Sequence, residues 1–244
     1  MRSSRVYVDT PLVSGGEVVL PEDAAHHLGV VLRAKAGQPV ILFNNTGIEA
    51  QAVLVRADRK QVVAQVGSIA AVGRESPLAI HLAIGISRGE RMDFVLQKST
   101  ELGVAAITPL FCERTEVKLA GERLQKKLQQ WQKIIIGACE QSGRARVPLL
   151  HAPVILPVCL AADASERRFV LHHRSDQALA QPASRPGSVL LLVGPEGGLS
   201  GDEIAEAGRA GCQPLALGPR VLRTETAPLA ALAVLQFHWG DLGG

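Results

Sequence analysis

Residues 190–228 read LLLVGPEGGLSGDEIAEAGRAGCQPLALGPRVLRTETAP, and the reading of this stretch decides the fold. It holds two glycine-rich elbows, each behind an apolar strand, with one short helix between them. Residues 189–193 are a β-branched and leucine run of the kind that fills a strand buried on both faces. The run breaks at Gly194-Pro195-Glu196-Gly197-Gly198, where glycines give the backbone dihedrals that a Cβ forbids and let a ligand lie against the main chain. Ser200 and Glu203 form an S-x-x-E capping box, so a helix is predicted over 201–210 with its stop at Gly211. A second strand is predicted at 214–217. It leads through Gly218-Pro219-Arg220-Val221-Leu222-Arg223-Thr224-Glu225-Thr226 into an apolar helix over 227–239, with Thr226 as N-cap and Pro228 in the first turn.

Working outward, strands are predicted at 79–86, 106–111 and 169–172, and helices at 91–102 and 121–141. That alternation predicts the α/β class, a parallel sheet covered by helices. In the long helix Leu124, Leu128, Trp131, Ile135 and Ala138 form an apolar stripe, with Arg123, Lys126, Lys127 and Lys133 largely off it as a solvated face. Further upstream the pattern changes. Short strands at 5–8, 17–20, 39–43, 48–56 and 61–68, with turns at Ser14-Gly15-Gly16 and Asn44-Asn45-Thr46-Gly47 and a helix over 22–32, predict a small β-barrel. The small and charged residues at 70–77 mark a boundary, giving domains at 1–72 and 73–244.

With 244 residues, 47% hydrophobic and 20% charged, the chain has an ordinary globular composition and room for two domains. Residues 1–72 carry seven Lys and Arg against six Asp and Glu, and the remainder nineteen against seventeen, so any RNA must bind local patches rather than a general polycation. The first residues lack the apolar core of a signal peptide and no run reaches membrane-spanning length, so a cytoplasmic protein without membrane contact is expected. The four cysteines are far apart, without C-x-x-C pairing, and no metal site is expected.

Charge restricts what the elbows can hold. A Walker loop and the G-x-G-x-x-G fingerprint are both missing, and Glu196 would repel a phosphate. A positively charged adenosine ligand without phosphate fits, which points to S-adenosylmethionine. The competing reading makes GPEGG a strand-to-helix turn and nothing more; the second elbow and the polar string RVLRTET favour a site.

The strings GPEGGLS and LGPRVLRTETA, together with Gln97-Lys98-Ser99-Thr100-Glu101-Leu102-Gly103, Glu140-Gln141-Ser142-Gly143-Arg144, His27-Leu28 and Val31-Leu32-Arg33, closely resemble the bacterial 16S ribosomal RNA uridine-N3 methyltransferases, the RsmE family of the SPOUT class. The motifs run in the family's order over nearly the whole chain. The resemblance implies a PUA-like RNA-binding barrel at 1–72 and a SPOUT α/β domain at 73–244, with a parallel sheet and a C-terminal trefoil knot. It also implies a homodimer that methylates N3 of one uridine in the 16S rRNA of the small ribosomal subunit, using S-adenosylmethionine. Two rivals stay open: a non-catalytic RNA-binding ribosome-assembly factor, and a tRNA methyltransferase on the same fold. Implied cofactor contacts are Leu171, then Gly194, Pro195, Glu196, Gly197 and Gly198 in the first elbow. In the second they are Leu217, Gly218, Leu222, Arg223, Thr224, Thr226 and Ala227.

Uracil N3 carries a proton at neutral pH, so the site needs a base, or a cation that stabilises the uracil anion. Arg223, Arg220 and Glu225 are the catalytic candidates. For Arg223, a salt bridge to Glu225 or Glu196 that holds the loops together is an equal reading. Glu225 could be a base, an arginine's partner or part of a helix-start cap, and Glu196 could face the donor's charge or solvent. Arg33, Lys98, Glu101, Arg144 and Arg220 are the candidate RNA contacts, since arginine binds phosphate in two-pronged fashion and stacks on bases. Lys98 rests on the family match alone, and Arg144 could instead bind the terminal carbonyls of its helix. The final helix carries Leu229, Leu232, Val234, Leu235 and Phe237 around much of its circumference, so it is expected to be buried on several sides, partly against a second copy.

Overall fold

Alternation of side chains builds the first sheet. In the computed structural model, which describes residues 3–58, 61–172 and 185–243, the strands β1 (Ser4–Tyr7), β2 (Glu17–Val19), β3 (Pro39–Phe43), β4 (Ile48–Ala57) and β5 (Val62–Ala71) pair in the order β1-β3-β4-β5-β2. Ala50, Ala52 and Leu54 of β4 point inward while Gln51, Val53 and Val55 are exposed, the two-residue period of a half-buried strand. They join Val6, Val18, Leu42, Val62 and Val66 in one apolar core. The β4–β5 ladder slips between Ala50 and Ala52, and Gly67 lies there because a Cβ would come within 2.9 Å of the Gln51 carbonyl oxygen. β1 pairs with β3 in parallel and the other ladders are antiparallel. Hydrogen bonding leaves β1 and β2 as edges among the described residues, so the sheet is not closed into the ring that the predicted barrel implied. The helix predicted over 22–32 is α1 (Glu22–His26) followed by a π-helical turn at His27–Val31.

This first compact unit runs to Glu75 and also includes Cys139–Val147. A chain of charges ties that later segment to the sheet. Buried Glu49 accepts from Arg5 and, at 2.6 Å, from Arg74; Arg5 in turn donates to the Arg144 carbonyl at 3.0 Å. Phe43, Cys139 and Ala145 pack together beside it. Hydrophobic patterning alone places 139–147 with the later part of the chain, since these links are made between residues far apart in sequence.

The second unit comprises Ser76–Ala138 and the chain from Pro148 onward. Its elements are β6 (Ala79–Gly85), α2 (Glu90–Glu101), β7 (Val104–Phe111), α3 (Gly121–Ser142), β8 (Leu149–Leu150), β9 (Val154–Ile155), α4 (Leu156–Ala162), β10 (Arg167–Leu171), β11 (Ser188–Val193), α5 (Gly201–Arg209), β12 (Gln213–Leu215) and α6 (Thr226–Trp239). The last turn of α3 belongs to the first unit. The sheet order is β12-β10-β11-β6-β7-β8, with β9 also on β7, and each pair is parallel. The continuous apolar run of β11, residues 189–193, is buried throughout, as expected of a strand inside a parallel sheet. Three short elements, β8, β9 and α4, escaped the sequence reading; two-residue strands carry no period.

Most boundaries shift by one to three residues, and two at the second elbow bear on the site. The strand predicted at 214–217 ends at Leu215, and α6 starts at Thr226 with Glu225 as N-cap and no side-chain cap. Thr226 therefore lies inside the helix. Its amide and that of Ala227 both donate to the Arg223 carbonyl at 2.9 Å, so the loop backbone does what a capping side chain would have done. α6 packs against α2 and β11 and buries Leu232, Leu235, Gln236 and Trp239, yet Phe237 is 60% exposed. No helix of the described residues is long and apolar enough to cross a membrane.

Candidate active site

Parallel strands end on a common edge, and the site lies there. Val193 closes β11, and the chain turns sharply through the first elbow. A Cβ on Gly194 would come within 2.7 Å of the Leu199 amide nitrogen. One on Gly197 would come within 2.9 Å of the Arg114 Cβ. Gly198 has φ +70° and donates to the Pro195 carbonyl at 2.8 Å, closing the turn. Gly85, the last residue of β6, lies so close under Pro195 that a Cβ would meet its ring. The capping box forms as read from sequence: Ser200 Oγ accepts from the Glu203 amide at 3.2 Å and Glu203 Oε2 from the Ser200 amide at 2.8 Å. Glu203 also accepts from the Glu113 amide at 2.9 Å, tying α5 to the end of β7.

The second elbow follows β12 and faces the first. Between them is a cavity of about 470 Å³. Of the residues expected to contact a cofactor, Leu171, Gly194, Pro195, Glu196, Gly197, Gly198, Leu217, Gly218, Leu222, Thr224 and Ala227 line it. Arg223 and Thr226 fall outside the lining. Gly218 has φ +82°, a conformation that side chains rarely adopt, and it lets the loop fold back over the opening.

The loops are held by an arginine that sequence reading missed. Arg91, on the first turn of α2, approaches Glu196 at 3.3 Å and Glu225 at 4.0 Å. Glu196 also accepts from the Arg88 amide at 2.8 Å. Burial disfavours the Glu196 charge, but these donors outweigh it and hold the carboxyl below the usual glutamate range. The salt bridge considered for Arg223 is thus made by Arg91. Arg223 and Arg220 are exposed, with no side-chain ion pair or hydrogen bond among the described residues, and Arg220 lines the cavity. Glu225 is left facing Arg91.

Arg114 is the second omission. It donates to the Gly197 carbonyl at 3.0 Å, and with His172, Val193, Leu199, Ile204 and Leu215 it forms further parts of the cavity wall. A usable signal existed: Arg114 follows the strand predicted at 106–111, His172 ends the one predicted at 169–172, and the C-terminal ends of parallel strands share one edge. Arg91 offers no comparable local mark.

The candidate RNA contacts are dispersed. Arg33 is exposed, with φ +50°. Lys98 and Glu101 pair with each other at 2.7 Å on α2. Arg144 is only 7% exposed and its guanidinium bonds Glu75 at 2.6 Å, which anchors 139–147 within the first unit. Arg74 donates to the carbonyl of Gly143, the residue after α3, at 3.0 Å.

A model for an RNA methyltransferase domain matches residues 74–236, and one for an RNA methyltransferase PUA domain matches residues 20–67. The ribosomal RNA small subunit methyltransferase E of Buchnera aphidicola (from Schizaphis graminum) is 35% identical over 242 residues, 99% of this chain and 98% of its own. The chain belongs to the ribosomal RNA small subunit methyltransferase E family. The Bacillus subtilis member is 32% identical, covering 91% of this chain and 90% of its own. A solved member from Neisseria gonorrhoeae, bound to S-adenosyl methionine, is 39% identical with a TM-score of 0.91, covering 98% and 99% of the two chains. A Legionella pneumophila structure with the cofactor SAM bound reaches 46% identity and a TM-score of 0.96 over 99% and 100%.

Proposed function

We propose that this chain transfers a methyl group from S-adenosylmethionine to N3 of one uridine in 16S rRNA of the small subunit. The observation that carries the reading is the convergence of both elbows on one cavity at the C-terminal edge of a parallel sheet, in a chain of this family. The cavity fits the cofactor. Its first elbow is so tight that a Cβ on Gly194 or Gly197 would clash with Leu199 or Arg114, and among the described residues its lining holds no lysine or Walker loop for a phosphate. Bound there, S-adenosylmethionine supplies a sulfonium-activated methyl group.

The remaining work belongs to the chain. The elbows fix the donor's position, and positioning of this kind supplies about 7–11 kcal/mol of barrier lowering. Arg223 and Arg220, unpaired beside the opening, stabilise negative charge on the uracil carbonyl oxygens as the N3 proton leaves. Glu225 holds Arg91 and through it the second elbow, a positioning role. Cofactor contacts extend to Arg223 and Thr226 through movement of the second loop on binding. Residues 1–72 act as the PUA-like RNA-binding domain, with Arg33 as a contact, and residues 73–244 as the SPOUT domain, with Lys98, Glu101 and Arg220 facing RNA.

Three further features belong to the same reading. The chain crosses from β11 to β12 on the far side of β10, and α6 returns to β11, which supports a trefoil knot at the C-terminus. Exposed Phe94 on α2 and Phe237 on α6 support a homodimer through these packed helices. The protein works in the cytoplasm, where its substrate is assembled. Mass mapping of small-subunit rRNA from cells with and without this gene tests the function: one N3-methyluridine should disappear, and an unchanged methylation map would refute it.

A further inference from the structure

The second unit carries a cationic groove beside the cofactor cavity, across the loop at residues 86–89. Two adjoining hollows of about 430 and 370 Å³ share Gly89, Val117 and Arg123. Their walls hold five cations, Arg88, Lys118, Arg123, Lys126 and Lys127, against one carboxylate, Glu116. Arg88 is taken by Glu116 at 2.5 Å and Lys127 by Asp93 at 3.0 Å. Lys118, Arg123 and Lys126 are exposed and have no ion pair among the described residues. Arg123 and Lys126 are three positions apart on α3 and so lie on one face of it.

Charge is not the only sign of a ligand. Ser87, 4% exposed, lines the smaller hollow, and its Oγ is buried without a hydrogen-bond partner. Buried hydroxyls are ordinarily paired, and an unpaired one at a cationic wall is suited to an incoming oxygen. Gly89, shared by both hollows, is the N-cap of α2 and brings no side-chain oxygen to that helix's first amides, which leaves them for an acceptor even with acidic Glu90 and Asp93 in the turn. The groove also adjoins the chemistry: the Arg88 amide donates to Glu196, which lines the cofactor cavity.

We propose that this groove binds a phosphodiester of the RNA strand flanking the methylated nucleotide, with Arg123, Lys126 and Lys118 as its cations and Ser87 as a hydroxyl donor. Spaced, unpaired cations along an open groove match successive phosphates of a single strand better than one compact anion. The proposal rests on the RNA methyltransferase reading above.

The test compares the wild-type chain with Arg123→Ala/Lys126→Ala, Lys118→Ala and Ser87→Ala. Each is titrated with 16S rRNA over a series of salt concentrations, beside cofactor titration and thermal melts. The double variant should bind RNA about tenfold or more weakly, with a slope of log affinity against log salt shallower by about 1–2, and unchanged cofactor affinity and melting. Lys118→Ala should show the same change at smaller size without touching α3. Ser87→Ala should weaken RNA binding while melting as wild type, since its native hydroxyl has no protein partner to lose. Unchanged RNA affinity and salt slope in the double variant overturns the proposal. Loss of inorganic phosphate binding with RNA affinity intact overturns it too, and makes the groove a free-anion site. Because RNA binding is read without turnover, a wild-type chain that binds rRNA but transfers no methyl overturns the enzymatic reading alone and leaves the groove judged by its salt slope. A wild-type chain that binds no RNA overturns both.

Discussion

Gly197 and Arg114 show how little room the site leaves. The Gly197 Cα lies against the Arg114 stem, so Gly197→Val pushes branched carbons into a side chain that itself bonds the Gly197 carbonyl. Cofactor binding should be lost in calorimetric titration while the first unit stays folded by its own spectroscopic melt; wild-type affinity would show that the elbow is only a turn. Glu196 carries a pH signature. Its folded pKa lies below its unfolded one, so its contribution is complete above the ordinary glutamate range and is lost as pH falls through the lower folded value. Cofactor affinity should therefore hold through the ordinary range and decline beneath it, and Glu196→Gln should abolish that decline. Arg223 is distinguished by having no side-chain partner to release among the described residues. Arg223→Ala should reduce the single-turnover methylation rate by about 10²–10³-fold and change cofactor affinity little. Collapse of affinity with a normal rate at saturating cofactor would make it a loop residue.

Among the elements, α6 depends on one buried amide. Gln236 is fully buried; its Oε1 accepts from Ser76 Oγ at 2.6 Å and its Nε2 donates to the Gly103 carbonyl at 3.2 Å, pinning the helix to the segments around β6 and α2. Gln236→Leu keeps the volume and removes both bonds. It should destabilise the second unit by about 1–3 kcal/mol in denaturant unfolding, and a change within error would mean that those polar groups find other partners. α2 is held at its other end by Arg91. Its pairs with Glu196 and Glu225 are partly exposed, and such pairs contribute about 0.2–1 kcal/mol each, so Arg91 aligns the loops more than it stabilises the fold.

For the whole molecule, the proposed homodimer has exposed apolar side chains to draw on. Phe94, Val221, Phe237 and Leu242 are 45%, 76%, 60% and 51% exposed, and all lie in the second unit. Light scattering at micromolar concentration should give about twice the 25.9 kDa of one chain, and Phe237→Glu should shift it to the monomer. A wild-type monomer would leave the exposed phenylalanines unexplained and remove the second copy from any account of the site.

The glycine elbows, the capping box, the parallel sheet and the approximate places of most strands were legible in the chain because each depends on a few neighbouring residues and a short period. Pro39–Phe43 and the Ser200/Glu203 cap emerge as read. Eleven of the expected cofactor residues converge on one cavity for the same reason: glycine runs after buried strands mark the sheet edge. Tertiary structure alone decided the rest. It assigned 139–147 to the first unit, turned Arg144 toward Glu75, and brought Arg91 and Arg114 to loops more than eighty residues away. A long polar side chain takes whichever partner packing places within reach, and no local period encodes that choice.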